Sequence, residues 1–366
     1  MALKDECCLF GKSLKQVVNS RMRLFVTGGA GYIGSHAVRR FREAGHDPWV
    51  YDNLSTGHRS AVAGSPLWVG DLADERALTA ALSSTRFDAV VHFAGAALVA
   101  ESIREPLHYF AQNTARGVAL LDAMHRQGID RLVMSSTCTV YGQPSGDVVR
   151  EDSPLVPINP YARSKLALEW CVADCAAAFG LGAIVLRYFN AAGAHHRGDL
   201  GEDHTPETHL VPNALRVALG QEPCVHVCGT DYPTPDGTCL RDYVHVEDLA
   251  EAHLLALEQV VPGRSVACNL GSGLPHSVHE VIEECRRVTG HPVPALLSPR
   301  RPGDAASLFA DTQRARELLG WEPRHSSLDN IVASAWAWHS RHPAGYGETP
   351  HTPLVFPGSS GLRRSA

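Results

Sequence analysis

The run Phe25-Val26-Thr27-Gly28-Gly29-Ala30-Gly31-Tyr32-Ile33-Gly34-Ser35-His36 constrains this chain most: an apolar strand breaks into glycines at 28, 31 and 34 and resumes as a helix. In such a turn the first glycine permits the sharp reversal, the second lets the backbone approach a pyrophosphate, and the third lets the helix pack on the strand. The first N–H groups of that helix then face the anion. The spacing is G-x-x-G-x-x-G rather than G-x-G-x-x-G. Eighteen residues beyond Gly34, the stretch Trp49-Val50-Tyr51 ends at Asp52, whose carboxylate suits a ribose 2′-OH and repels a 2′-phosphate. Strand, glycines, helix and acid in register predict a dinucleotide-binding fold and favour NAD over NADP.

Short β-type runs then alternate with helical stretches: Leu24 to Thr27, Trp49 to Tyr51, Leu67 to Val69, Ala89 to Phe93, Leu132 to Ser135 and Ile184 to Tyr188. Each gives way to small or polar residues, among them Gly70-Asp71, Ala94-Gly95, Ser136-Thr137 and Asn190. The alternation predicts an α/β fold of Rossmann type, a doubly wound parallel sheet whose strand ends meet at one ligand crevice. After Asn190 come loops rich in His, Pro and Gly, with helical segments near 211–219 and 277–289. They predict a smaller C-terminal α/β substrate-binding domain. The expected division is an N-terminal tail over 1–20, a NAD-binding Rossmann domain over 21–190 and 240–272, a substrate-binding domain over 191–239 and 273–345, and a C-terminal tail over 346–366.

Composition narrows the partners. A chain of 366 residues, 44% hydrophobic and 20% charged, can bury a sizeable core. Its net charge of -6 offers no broad basic surface for nucleic acid, and no apolar run approaches the roughly 20 residues of a membrane span. Ten cysteines without framework spacing or a signal-peptide pattern predict free thiols and a cytoplasmic setting. Cys171 and Cys175 share a helical stripe with Leu168, Ala178 and Phe179, which reads as packed core. Cys224, His226 and Cys228 alternate on a strand and diverge too far for one metal. His195, His196 and His204 are expected to shape the substrate lobe, and no metal is expected.

Pro160 opens a segment in which Tyr161 and Lys165, spaced i,i+4, project from one face of a helix's first turns. A free phenol titrates at about 10. A neighbouring ammonium and an oxidised nicotinamide favour the phenolate and lower that value. Tyr161 is therefore a candidate general base, and Thr137, at the end of the strand Arg131 to Ser136, a candidate hydroxyl partner. Y-x-x-x-K also occurs on ordinary surface helices; the nucleotide turn and the Ser/Thr strand upstream give it weight here.

Thr27 to His36, Ser135 to Gly142, Tyr161 to Lys165, Leu186-Arg187-Tyr188-Phe189-Asn190 and Arg241 to Ala250 together resemble the extended short-chain dehydrogenase/reductases and, within them, the UDP-glucose 4-epimerases. The similarity runs from Met22 to about Tyr346 and includes Arg300-Arg301-Pro302-Gly303-Asp304. Besides Gly28, Gly31 and Gly34, the resemblance implies NAD contacts from Tyr32, Ile33, Asp52, Asn53, Asp71, Leu72, Phe93, Ala94, Gly95, Asn113, Tyr161, Lys165 and Tyr188. It implies a UDP-sugar held by Asn190, Leu210, Arg241, Arg301 and Asp304 beside Thr137 and Tyr161. The implied reaction passes the C4 hydride to NAD while Tyr161 takes the O4 proton, turns the 4-keto sugar, and returns the hydride to its other face. It also implies a homodimer through helices spanning Pro106 to Arg126 and Tyr161 to Ala178, and a setting in galactose metabolism.

Three positions depart from relatives: Ala97 stands where many have a Lys, Cys228 where they offer an aromatic residue to stack on uracil, and His209 where some have an Asn; Leu308, separately, has intermediate bulk at the position that governs entry of N-acetylated sugars. UDP-GlcNAc/GalNAc or UDP-xylose/arabinose are therefore alternative substrates. A nucleotide-sugar 4,6-dehydratase needs an acidic pair after the Thr, and Cys138 and Thr139 occupy those places. A non-catalytic NAD-sensing protein is the other alternative, and the presence of Thr137, Tyr161 and Lys165 argues against it.

Overall fold

Runs such as Leu24-Phe25-Val26 and Ala89-Val90-Val91 are apolar on both strand faces, and a parallel sheet covered by helices on each side hides both. In the computed structural model, which describes residues 21–144, 148–301 and 305–347, these six side chains are 0% exposed. The strands, in chain order, are β1 (Arg23–Thr27), β2 (Asp47–Asp52), β3 (Leu67–Val69), β4 (Ala89–His92), β5 (Arg131–Thr137), β6 (Val148–Val149) and β7 (Gly182–Tyr188). They continue as β8 (Asn190–Ala192), β9 (Val225–Cys228), β10 (Leu240–His245), β11 (Ser265–Leu270), β12 (Pro275–Ser277), β13 (Ala295–Ser298) and β14 (Ser307–Ala310).

Seven strands form one parallel sheet in the order β11-β7-β5-β4-β1-β2-β3. The chain runs outward from β1 to β3, then returns to lay β4 on the other side of β1. That reversal opens a crevice at the strand ends, where open α/β sheets take their ligands. It is bridged there by the N–H groups of Phe93 and Ala94, both donating to Thr27 O at 2.8 and 3.1 Å.

A second sheet has the order β12-β10-β14-β6, with β8 beside β10. The expected division assigned β6 and β10 to the first unit; both hydrogen-bond in this second sheet instead, since their partners lie far along the chain. After β10 the chain returns to the first unit: the helix Val246–Gln259 packs on β5, β7 and the helix Tyr32–Glu43, and β11 joins the first sheet beside β7. Tyr346, expected to begin a loose tail, is anchored: its N–H donates to Asp203 Oδ2 at 2.9 Å and its ring stacks on His58 at 4.5 Å. The expected tail over 1–20, the rest of the C-terminal tail and Asp304 lie outside the described residues.

The helix Pro160–Phe179 carries the Tyr/Lys pair, and its start is fixed locally. Asn159 Oδ1 accepts from Ala162 N at 2.8 Å, and proline occupies the first helical position, where its missing N–H costs nothing. The helix ends at Gly180, whose φ of 77° suits a residue without Cβ. Leu168 and Val172 bury against the sheet, with Cys171 and Cys175 at the margin of the same cluster. No helix among the described residues is long and apolar enough to cross a membrane.

Candidate active site

Gly28 has φ +69°, and a Cβ there would stand 2.4 Å from Ala94 N; a Cβ on Gly34 would stand 2.3 Å from Gly28 O. The protein's own backbone therefore demands both glycines. Gly31 differs, because its Cβ would meet only Gly28 O at 3.5 Å, an ordinary contact. The helix Tyr32–Glu43 begins on Gly31 with no side-chain cap and no acid in its first turn, leaving an anion seat open at its N-terminus. These residues fit a dinucleotide pyrophosphate.

Asp52 does more than the sequence suggests. Its Oδ2 accepts from Ala30 N at 2.9 Å and its Oδ1 from Leu54 N at 2.8 Å, so it pins the glycine turn to the next loop. Burial pushes its carboxyl pKa up, against those two N–H donors. Each oxygen keeps a further lone pair for a ribose hydroxyl. Asn53 Nδ2 donates to Asp71 Oδ2 at 2.8 Å, and Arg116 reaches the same oxygen at 3.2 Å; the adjoining Leu72 is buried. The Tyr32 hydroxyl donates to Gly193 O at 2.6 Å, and Ile33 is half-buried in the first turn of the helix.

Across the crevice, Asn113 is 1% exposed within a π-helical turn, Phe110–Ala115. It accepts from Ala96 N at 2.8 Å, donates to Ala96 O at 3.0 Å and to Ser164 Oγ at 2.9 Å, tying the loop after β4 to the Tyr/Lys helix. A Cβ on Gly95 would stand 2.8 Å from Asn113 Oδ1 and 3.7 Å from Lys165 Nζ. The loop carrying Phe93, Ala94 and Gly95 thus lies directly against the lysine head.

Thr137, Tyr161, Lys165 and Tyr188 are brought together at the ends of β5 and β7. Thr137 hydrogen-bonds Tyr161, and its Oγ1 lies 2.9 Å from Thr139 Oγ1. Burial pushes the Tyr161 phenol up to about 12, with the Thr137 hydrogen bond opposing. Burial likewise lowers the Lys165 ammonium to about 8, opposed by Glu169. The sequence predicts a phenol made acidic by its lysine. In the protein alone burial sets the direction of the shift and Lys165 takes no part in it; its Nζ lies 3.5 Å from Ser135 Oγ. Further positive charge beside the phenol must complete the shift.

Behind these groups Arg187 and Glu169 form a buried ion pair at 2.6 Å, with Ser136 Oγ donating to the same carboxylate and Arg187 Nη1 donating to Tyr141 Oη at 2.9 Å. Sequence reasoning missed Glu169, Ser135 and the buried His253 beside Tyr188. Glu169 stands one helical turn beyond Lys165 and Ser135 two residues before Thr137, spacings that could have marked both, whereas His253 arrives from the helix Val246–Gln259 with no local signal.

On the substrate side, Asn190 Nδ2 donates to Asp242 O at 2.9 Å. Arg241 Nη1 donates to Leu240 O and Ala305 O, each at 2.8 Å. Burial raises the Cys138 thiol to about 12, and the Arg241 charge opposes this. Leu308 pairs with Arg241 in register and is 6% exposed. Leu210 opens the helix Leu210–Ala218, and Arg301 is exposed. His209, just ahead of Leu210, places Nδ1 2.7 Å from Glu202 Oε1, while His204 Nδ1 lies 3.1 Å from the same atom. Despite burial, these imidazoles hold Glu202 well below the usual carboxylate range, and the carboxylates raise both histidines. Ligand atoms of these residues and Glu207 gather within 4.8 Å, and the pKa directions make them imidazolium–carboxylate pairs.

A family model described as the NAD dependent epimerase/dehydratase family matches residues 24–271. The UDP-glucose 4-epimerase of Halalkalibacterium halodurans is 48% identical over 326 residues, covering 89% of this chain and 98% of that one. The crystal structure of UDP-glucose 4-epimerase from Brucella ovis in complex with NAD superposes with a TM-score of 0.83 at 44% identity, covering 86% of this chain and 97% of that one. The Bifidobacterium longum enzyme in complex with NAD+ and UDP gives 0.85 at 36% identity, covering 88% and 100%. This chain belongs to the NAD dependent epimerase/dehydratase family.

Proposed function

We propose that this chain interconverts UDP-glucose and UDP-galactose by inverting C4 of the sugar, with NAD as its resident cofactor. The observation that carries the reading is the convergence of Thr137, Tyr161 and Lys165 on the crevice opened by the uncapped glycine turn. NAD, when bound, would supply a hydride acceptor and donor for C4. Tyr161, as phenolate, takes the O4 proton, holds it, and returns it to the same oxygen. Thr137 donates to that oxygen and keeps it in reach of the phenol. Lys165 holds positive charge beside both. Gly28, Gly31, Gly34, Tyr32, Ile33, Asp52, Asn53, Asp71, Leu72, Phe93, Ala94, Gly95, Asn113 and Tyr188 make up the cofactor side of the crevice. Arg241 and Arg301 suit the diphosphate, since guanidinium forks bind phosphate oxygens in pairs, and Asn190 and Leu210 complete the sugar side. The diphosphate anchor lets the sugar turn without leaving.

Incubating the pure protein with UDP-galactose, without added cofactor, tests the reading: UDP-glucose appears if it holds, and unchanged substrate rejects it. Parallel incubations with UDP-N-acetylgalactosamine and UDP-arabinose measure what Leu308 admits. Free thiols among the described residues suit a cytoplasmic enzyme of galactose metabolism. The reading includes a homodimer. On the helices within 99–126 and 160–179, Leu107 is 84% exposed, Trp170 60% and Phe179 56%, an apolar surface of the kind that pairs. Trp170→Glu should halve the mass measured by light scattering; an unchanged mass removes this face as the interface.

A further inference from the structure

We infer that His253 is a positioning residue of the reaction, its bare Nε2 setting, through Tyr188 and Ser135, the direction of the hydrogen bonds that hold Lys165. The inference rests on the epimerase reading for its kinetic consequence and on geometry alone for its direction.

His253 is 0% exposed on the helix Val246–Gln259, which packs against β5 and β7. Its Nδ1 lies 2.8 Å from Leu249 O and its Nε2 2.5 Å from the Tyr188 hydroxyl. A carbonyl oxygen only accepts, so Nδ1 carries the ring proton. Burial lowers the ring's pKa to about 4, leaving it a single proton at neutral pH. Nε2 is then an acceptor, and Tyr188 must donate to it. With its own proton committed, the Tyr188 oxygen offers lone pairs to the Ser135 hydroxyl, whose influence opposes the rise in its pKa. Ser135 Oγ accordingly turns lone pairs toward Lys165 Nζ, 3.5 Å away. One helix carbonyl thus fixes the direction of four successive hydrogen bonds, ending on the ammonium beside Tyr161.

The row orients and does not conduct, because Leu249 O cannot take a proton. The other groups facing Lys165 are Glu169 on its own helix and His92 on β4; Phe93, after β4, covers the His253 ring at 4.6 Å. Without an acceptor at 253, the Tyr188 hydroxyl turns to Ser135, and Ser135 points its proton at the ammonium. Lys165 loses an acceptor and its charged form is disfavoured.

The first test needs no turnover. Nitrogen-15 NMR of labelled His253 at pH 7 should show protonated Nδ1 and bare Nε2, and the opposite tautomer overturns the inference. His253→Leu should lower kcat about tenfold, the scale of one misdirected hydrogen bond to a charged group, and move the alkaline fall of activity to lower pH. His253→Gln, whose amide oxygen can accept, should recover most of the loss and keeps the question open to measurement if the Leu variant does not fold. In a Tyr188→Phe background, His253→Leu should cost nothing further; full additivity, or wild-type kcat in His253→Leu alone, overturns the inference. A wild type that shows the expected tautomer yet leaves UDP-galactose unchanged sinks the epimerase reading and leaves the hydrogen-bond direction standing.

Discussion

The glycine turn and the loop from Glu202 to His209 border the same crevice, yet they are held by different forces. Backbone contact shapes the first: Gly28 and Gly34 sit where a single methyl would strike a main-chain atom, and Asp52 ties Ala30 to Leu54 through two N–H groups. Charge shapes the second, with Glu202 shared between two imidazoles. The turn should accordingly fail at the smallest added volume and answer to pH only in acid, where Asp52 protonates, whereas the loop should accept substitution and answer to pH near neutrality.

The largest expected effect tests the turn. Gly34→Ala puts a Cβ 2.3 Å from Gly28 O and should cost more than about 3 kcal/mol, enough to deplete folded protein in a urea titration. Gly31→Ala meets only a 3.5 Å contact and should unfold within about 1 kcal/mol of wild type while losing bound cofactor, read from absorbance after desalting. Equal damage from both would mean that the turn is not divided between packing and ligand.

Next in size is the chemistry between the two regions. Tyr161→Phe keeps the ring and removes the hydroxyl, so turnover of UDP-galactose should fall about 10²- to 10⁴-fold with cofactor retained. A variant within twofold of wild type would remove Tyr161 from the reaction. Arg301→Ala, on the substrate side, should raise KM about tenfold with little change in kcat, because an exposed arginine that grips a diphosphate binds ground and transition states alike. A fall in kcat at unchanged KM would place Arg301 at the reacting carbon instead.

The same contrast governs what the sequence discloses. Strands β1, β4, β5 and β7 announce themselves as short apolar runs because burial on both faces is written into consecutive residues, and the glycine spacing is equally local. The placement of β10 is not local: Leu240 stands between Ser277 on one side and Ser307 on the other, and farther along Tyr243 to His245 pair with Asn190 to Ala192. An apolar run carries no mark of which distant edge it will join. Tyr161 and Lys165 are legible from one helix turn, and Glu169 and Ser135 could have been from their spacing, while His253 becomes a site residue only through the packing of its helix on β5 and β7. Asp52 falls between, its place at the end of β2 expected and its grip on Ala30 visible only in three dimensions.

The smallest effect tests the loop. Against the cost of burial, Glu202 and Glu207 raise the His209 pKa well above 6.5, so its contribution to stability is complete below about pH 6.5 and is lost as pH rises through the folded value. The Glu202 carboxyl is depressed by the same pairing, so its contribution is present above the usual carboxylate pKa and lost as pH falls through the folded value. The loop should be firmest between those limits. The His209 side chain is 49% exposed, and solvent screening holds the effect to about 1 kcal/mol or less. His209→Asn should therefore be less stable than wild type by about that much at pH 6, with the gap narrowing in paired urea melts as pH rises through the folded value. A gap of equal size on both sides of that value would mean that His209 acts by packing, and the division between a backbone-built and a charge-built half of the crevice would lose its clearest electrostatic member.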